Sequence, residues 1–145
     1  MTIHDSEELR RDARDLLVAG DVRGAVSRLQ AAVAFGVADF DVDVAVSIDL
    51  VRAYLAAGRV DDAVNLACDT AETDPRRSDV REVLIEAADA ALRRRRFQAA
   101  EWAGESLTVV APHDSAGWSR LVAARRKLGD RLAFERTLRA WVEDC

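Results

Sequence analysis

Few side chains in this sequence could do chemistry. Its two histidines are His4 and His113, whereas acid–base or nucleophilic catalysis needs several convergent groups. Neither histidine stands at metal-ligand spacing from a cysteine or a regular carboxylate partner. His113-Asp114, after Pro112, reads as loop plus helix cap. Cys68 and Cys145 are too few for a disulfide framework; Cys68 reads as a small core residue and Cys145 as a free thiol. Asp39-x-Asp41-x-Asp43 has the spacing that opens a calcium loop, but Val44 and Leu50 stand where that loop needs glycine and glutamate. A glycine-rich phosphate loop is lacking. The expectation is no catalytic residue, no metal, no cofactor and no enzymatic activity.

Charge clusters are the more prominent feature. Arg93-Arg94-Arg95-Arg96 and Arg125-Arg126-Lys127 each precede a turn. A cluster there suits the negative end of a helix macrodipole; the alternative is a contact for an acidic partner segment. Both clusters hold the same structural place, which favours the helix-end reading.

The elements that carry these side chains follow from composition and punctuation. The chain has 145 residues, enough for one ordinary domain with its own core. It is 50% hydrophobic and 32% charged with 2 prolines and 7 glycines, which excludes disordered and collagen-like classes. Alanine, the strongest helix former, occurs 27 times. Net charge is −5, which argues against a nucleic-acid-binding domain. No apolar run reaches the ~18 residues of a membrane span, and the polar, acidic start is unlike a secretory signal peptide. A cytoplasmic protein is expected.

An internal repeat organises the chain. Ala19-Gly20-Asp21, Ala57-Gly58-Arg59 and Leu128-Gly129-Asp130 share one turn, and Arg95-Arg96-Phe97 is a fourth copy without its glycine. Positions 20, 58, 95 and 129 are spaced by 38, 37 and 34 residues, and Pro75 and Pro112 each fall 17 residues after their turns. A glycine past an amphipathic run closes a helix in the left-handed conformation. A small residue five positions on (Ala25, Ala63, Ala100) lets two helices approach, and proline ends the second helix.

These markers predict a single helical-repeat domain over 1–145, all-α, a right-handed solenoid of about four hairpins and eight helices. The hairpins are 6–35, 42–73, 78–110 and 115–143, with helices over 6–18, 22–35, 42–57, 60–73, 78–94, 97–110, 115–128 and 131–143. Ser78 is expected to cap the fifth helix, with Asp79 in its first turn, and Asp114 or Ser115 the seventh. Phe134, Leu138 and Trp141 form one face of the last helix, with Arg131, Glu135, Arg136 and Arg139 opposite. Residues 40–50 alternate with period two, a strand signal. A helical stripe of Val44, Ile48, Val51 and Leu55, together with the repeat register, favours helix there.

The period, turn and closing proline resemble tetratricopeptide repeats. The pattern is carried by Ala13, Leu16, Gly20, Ala25 and Leu29; by Leu50, Tyr54, Gly58, Ala63 and Pro75; by Phe97, Ala100 and Pro112; and by Trp118 and Leu121. Val122 and Arg125 depart from it, standing where the pattern has a small residue and a tyrosine. A narrower similarity, to the bacterial transcriptional activator domain of actinobacterial regulators, starts near residue 84. It is carried by Leu84-Ile85-Glu86-Ala87-Ala88, Phe97-Gln98-Ala99-Ala100-Glu101-Trp102, Pro112-His113-Asp114, Trp118-Ser119-Arg120-Leu121 and Leu128-Gly129-Asp130. That similarity implies a regulatory or dimerisation domain, and the chain has no residues left over for a winged helix.

In such repeats the first helices line the concave face. By register this face carries Arg10, Arg11, Arg14, Asp49, Arg52, Glu82, Glu86, Asp89, Arg93, Arg120 and Arg126. Their signs alternate along the face, and they are the candidate contacts for a protein or peptide partner, a second copy of the chain included. With one lysine, Lys127, and one asparagine, Asn65, on a second helix, a carboxylate clamp for peptide tails is not expected. The leading functional expectation is a non-catalytic regulatory or dimerisation module of an actinobacterial transcription regulator. The alternative is a free-standing adaptor or assembly helper that binds a peptide in the groove. Neither reading involves membrane or direct nucleic-acid binding.

Overall fold

The structure, a computed structural model, describes residues 3–35 and 40–145. Among the described residues all regular structure is helical. The elements are α1 (Ile3–Val18), α2 (Val22–Phe35), α3 (Phe40–Ala56), α4 (Val60–Thr73), α5 (Ser78–Arg93), α6 (Phe97–Val110), α7 (Ser115–Leu128) and α8 (Arg131–Asp144). Helices α2, α4, α6 and α7 begin and end where the punctuation places them. Helix α1 starts at Ile3 rather than at residue 6, with Asp5 in its first turn, where negative charge favours helix. Helix α3 runs slightly earlier than 42–57, α5 stops one residue before 94, and α8 extends one residue past 143.

The ambiguous segment is helix. Its alternation has a physical cause: Val44, Val46, Ile48, Leu50, Val51, Ala53 and Tyr54 are all buried. A helix covered on more than one side does not need a single apolar stripe, so apolar residues at alternate positions are compatible with helix here.

Three of the four repeat turns are alike bond for bond. After α1 the Gly20 N–H donates to Leu17 O (3.1 Å) and the Asp21 N–H to Leu16 O (2.8 Å). Gly58 and Arg59 make the same pair of bonds to Leu55 and Tyr54, and Arg95 and Arg96 make it to Leu92 and Ala91. This is the Schellman closure, which needs a left-handed residue. Gly20 and Gly58 have φ of 85° and 76°, and Arg95 takes 59° without being glycine. Gly129 (φ 82°) closes α7 with one bond, to Arg125 O at 3.3 Å. Asp21 and Asp130 follow two of these glycines and accept from the Gly24 and Ala133 N–H groups, so the residue that leaves one helix caps the next.

Capping of α5 differs from expectation. Arg77, not Ser78, holds the N-cap position and makes no side-chain cap bond. The Asp79 carboxylate is engaged by the Arg77 guanidinium at 3.0 and 2.8 Å and by the Val80 N–H at 2.9 Å, while Ser78 becomes the first helical residue. Asp114 caps α7 as expected, accepting from the Ala116 N–H at 2.9 Å.

The chain clusters into two compact units, Met1–Arg59 and Val60–Cys145. In the first, α1, α2 and α3 pack on one another around Ala13, Ala25, Leu29 and Val51. In the second, α4, α5, α6, α7 and α8 pack in succession around Val64, Val80, Val83, Leu84 and Leu107. Helices α6 and α7 cross closely at two glycines. A Cβ on Gly104 would lie 2.9 Å from Leu121 Cα, and one on Gly117 would lie 2.8 Å from Leu107 Cβ. Ala25, Ala63 and Ala100 are fully buried as the repeat requires.

Helix α8 departs from its expected face. Thr137 is its buried residue; Phe134 and Trp141 are half-buried and Leu138 is 36% exposed. Arg125 reaches across to Thr137 Oγ1 (2.7 Å), which turns that side of the helix toward α7 and leaves Leu138 at the rim. No helix among the described residues is long and apolar enough to cross a membrane.

Candidate functional site

Five of the eleven charged residues expected on the first helices engage one another. Arg10 on α1 donates from Nε to Asp49 on α3 at 2.7 Å, and Arg14 lies 3.9 Å from the same carboxylate. Arg120 on α7 meets Asp89 on α5 with two bonds, 2.8 and 3.1 Å. Each pair links neighbouring first helices within one unit, as a common face requires. Arg11, Glu82, Arg93 and Arg126 are exposed, and no ion pair involves them among the described residues. Arg52 and Glu86 are also exposed. The structure thus joins Arg10, Arg14 and Asp49 in one group and Asp89 and Arg120 in another.

The arginine run at the α5–α6 turn is built into the fold. Arg93 ends the helix and Arg94 caps it. The Arg95 guanidinium lies 5.7 Å from the centroid of the Phe97 ring. Arg96 pairs with Asp61 on α4, which holds its guanidinium above the ordinary value.

A different surface, on second helices, was not singled out by sequence. Between α4 and α6 an open groove of about 810 Å³ is lined by Cys68, Ala71 and Pro75 on one side and by Trp102, Val109 and Val110 on the other. Trp102 is 45% exposed and Val109 81% exposed, and both open onto this groove. Asp69, Glu72 and Glu105 rim it, and Arg76 also lines it. Glu105 is held by Arg125 Nη2 at 2.7 Å. No ion pair involves Asp69 or Glu72 among the described residues. Burial, above all, pushes the Cys68 thiol up; a Ser106 hydrogen bond opposes this, and the nearby carboxylates Asp69, Glu72 and Glu105 add to it. Cys68 is therefore kept as a neutral thiol on the wall of this groove. The exposed Trp-x₆-Val spacing of Trp102 and Val109 was the available sequence signal, but tryptophan in a repeat reads as core.

Among the described residues no group of three histidine, cysteine or carboxylate side chains could hold a metal. His113 is tied to the chain end: its Nδ1 lies 2.7 Å from Asp144 O, and the Cys145 thiol donates to His113 O at 3.4 Å. Asp39 and the side chains of His4, Asp41 and Asp43 lie outside the described residues.

No family model and no curated protein matches the sequence. Solved structures do. A kinesin light chain-like protein of Podosopora anserina with nearly identical TPR-like repeats is 23% identical, with a TM-score of 0.56. A single-site variant of that protein gives 23% identity and a TM-score of 0.57; each match covers 97% of this chain and 75% of that one. The likeness shows an all-α, tetratricopeptide-like helical-repeat fold.

Proposed function

We propose that this chain is a non-catalytic protein-interaction module that serves as a regulatory or dimerisation domain of an actinobacterial transcription regulator in the cytoplasm. The observation that carries the coarser reading is the fold. Repeated helical hairpins present side chains on rigid faces, an arrangement suited to binding extended partner surfaces. The regulator reading rests on the similarity of the segment from Leu84 to Asp130. An adaptor or assembly helper that takes a peptide on its first-helix faces is the second reading, favoured by the likeness to kinesin light chain-like repeats. In both, exposed first-helix charges such as Arg11, Glu82, Arg93 and Arg126 orient the partner, and affinity comes from apolar anchors.

The test is capture of partners from cell extract on the immobilised whole chain, read by mass spectrometry. A reproducible partner is expected, and its retention should fall in Arg11→Glu with Arg93→Glu while helicity holds. Unchanged retention would move the contact off the first helices. A wild-type chain that captures nothing and does not self-associate would overturn the interaction reading. A winged-helix segment encoded beside this stretch separates the regulator from the adaptor.

A further inference from the structure

Helices α4 and α6 leave a furrow that the fold itself does not fill. Its α6 wall carries Trp102 and Val109, its rim carries Asp69, Glu72 and Glu105, and its volume is about 810 Å³. We infer that this furrow is a docking site for an amphipathic, basic helix of a partner protein, which lays its apolar stripe on Trp102 and Val109 and its Arg or Lys side chains on Asp69 and Glu72. The inference rests on the interaction-module reading and adds the chemistry of the occupant and the face it uses.

Three observations select that occupant. The backbone groups of α4 and α6 are spent within their own helices, so an extended segment finds no strand edge to pair with. Recognition must be through side chains, as when a helix lies in an apolar groove. Each wall is a helix of 14 residues, about 21 Å at 1.5 Å per residue, enough to hold about four turns of a third helix.

Next, an exposed tryptophan and an exposed valine two turns apart on one helix face offer two anchors to an apolar stripe. Tryptophan is enriched among the residues that dominate interface energies, and such anchors sit in pockets from which water is then excluded. Charge supplies the third selection. Asp69 and Glu72 are carboxylates on the rim with no ion pair among the described residues; with Glu105 they outnumber Arg76, the cation that also lines the groove, and all three act on the Cys68 thiol. A cationic flank on the incoming helix complements that negative excess, and an acidic one is repelled. Anionic headgroups of a membrane surface are repelled in the same way.

The experiment uses the whole chain and two fluorescein-labelled helical peptides of about 18 residues, about 27 Å long. They carry the same leucine stripe, one flanked by arginine and the other by glutamate, and binding is read by fluorescence anisotropy. The arginine peptide should bind at least about ten-fold more tightly than the glutamate peptide. Trp102→Ala should weaken it by about ten-fold or more, and so should Asp69→Lys with Glu72→Lys. All three groove positions are exposed, so the variants keep their helicity by circular dichroism. Asp12→Lys with Asp15→Lys, the same change of charge on α1, should leave binding unchanged.

Equal binding of the two peptides would overturn the proposal. So would full binding by either groove variant, or an equal loss in the α1 variant. Concentration-dependent dimers that Trp102→Ala dissolves would give the groove to a second copy instead. If a partner captured by the wild-type chain is kept by both groove variants, the groove assignment fails and the interaction module stands. If the wild-type chain captures no partner and binds neither peptide, the module reading falls with it.

Discussion

Tyr54 and Arg125 each stand four residues before a turn glycine, and each ties its helix to an earlier second helix by a different chemistry. The Tyr54 hydroxyl accepts from Gln30 Nε2 on α2 at 3.0 Å. Arg125 spreads its guanidinium over Glu101 (3.1 Å) and Glu105 (2.7 Å) on α6 and over Thr137 (2.7 Å) on α8. The departure from the repeat pattern at Arg125 is thus a substitution of one tether for another. Arg125→Ala should lower stability by about 1–2 kcal/mol, the scale of hydrogen bonds to charged groups at a half-buried site. Arg125→Lys should recover little of the loss, because an ammonium lacks the fork; urea unfolding measures both. Gly20 has free space around it and φ of 85°, so Gly20→Ala should cost about 1–2 kcal/mol through the backbone alone. The Cys68 thiol, raised by burial first, contributes stability that is complete below its unfolded value and lost as pH rises through its folded value. At mildly alkaline pH the exposed Cys145 should therefore alkylate well before Cys68, as mass spectrometry of iodoacetamide-treated protein would show.

Helices show where local pattern is enough and where it is not. Second helices α2, α4 and α6 have bounds set by the turn before them and, for α4 and α6, by a proline two residues past the end, so their limits are readable. Helix α3 is buried on several sides, and its period-two pattern is the mark of that burial rather than of a strand. The α6–α7 crossing depends on Gly104 and Gly117. Glycine inside a helix carries a propensity cost of about 1 kcal/mol, which the close approach of the two backbones explains here. Gly117→Ala should lower stability by about 1–3 kcal/mol even though alanine is the better helix former, because its Cβ would meet Leu107. Ala63→Leu, at a fully buried position on α4, should also cost about 1–3 kcal/mol. Thermal unfolding checks both, and a midpoint equal to wild type for Ala63→Leu would contradict the repeat register.

The whole molecule is acidic, with a net charge of −5, and its arginines are distributed against that excess. Arg10 pairs with Asp49 in the first unit and Arg120 with Asp89 in the second, while Asp69 and Glu72 on the α4–α6 rim take part in no ion pair among the described residues. Charge alternation along the first helices was legible in the sequence; which of those charges meet across helices, Arg10 with Asp49 and Arg120 with Asp89, was not. Binding of a cationic helix at the rim should therefore weaken as salt rises from about 0.1 M to about 1 M, where the Debye length falls from about 10 Å to about 3 Å. Anisotropy titrations of the arginine peptide at the two salt levels measure this.

By itself the sequence determined the helices, their turns and their repeat, because glycine, proline and helix-forming residues act over a few neighbours. That reach extended even to the turn at Arg95, which takes the left-handed conformation without glycine because its neighbours close the same bonds. Only the tertiary structure decided which charges meet and which apolar side chains stay uncovered. Arg10 and Asp49 are 39 residues apart, and Cys68 and Trp102 are 34 apart; no local rule fixes what such distant positions face. Trp118 and Trp102 make the point: both sit in repeat helices, yet one is buried with its indole N–H donating to Pro112 O at 2.8 Å while the other opens onto a groove. The difference lies in which neighbouring helix happens to cover each ring.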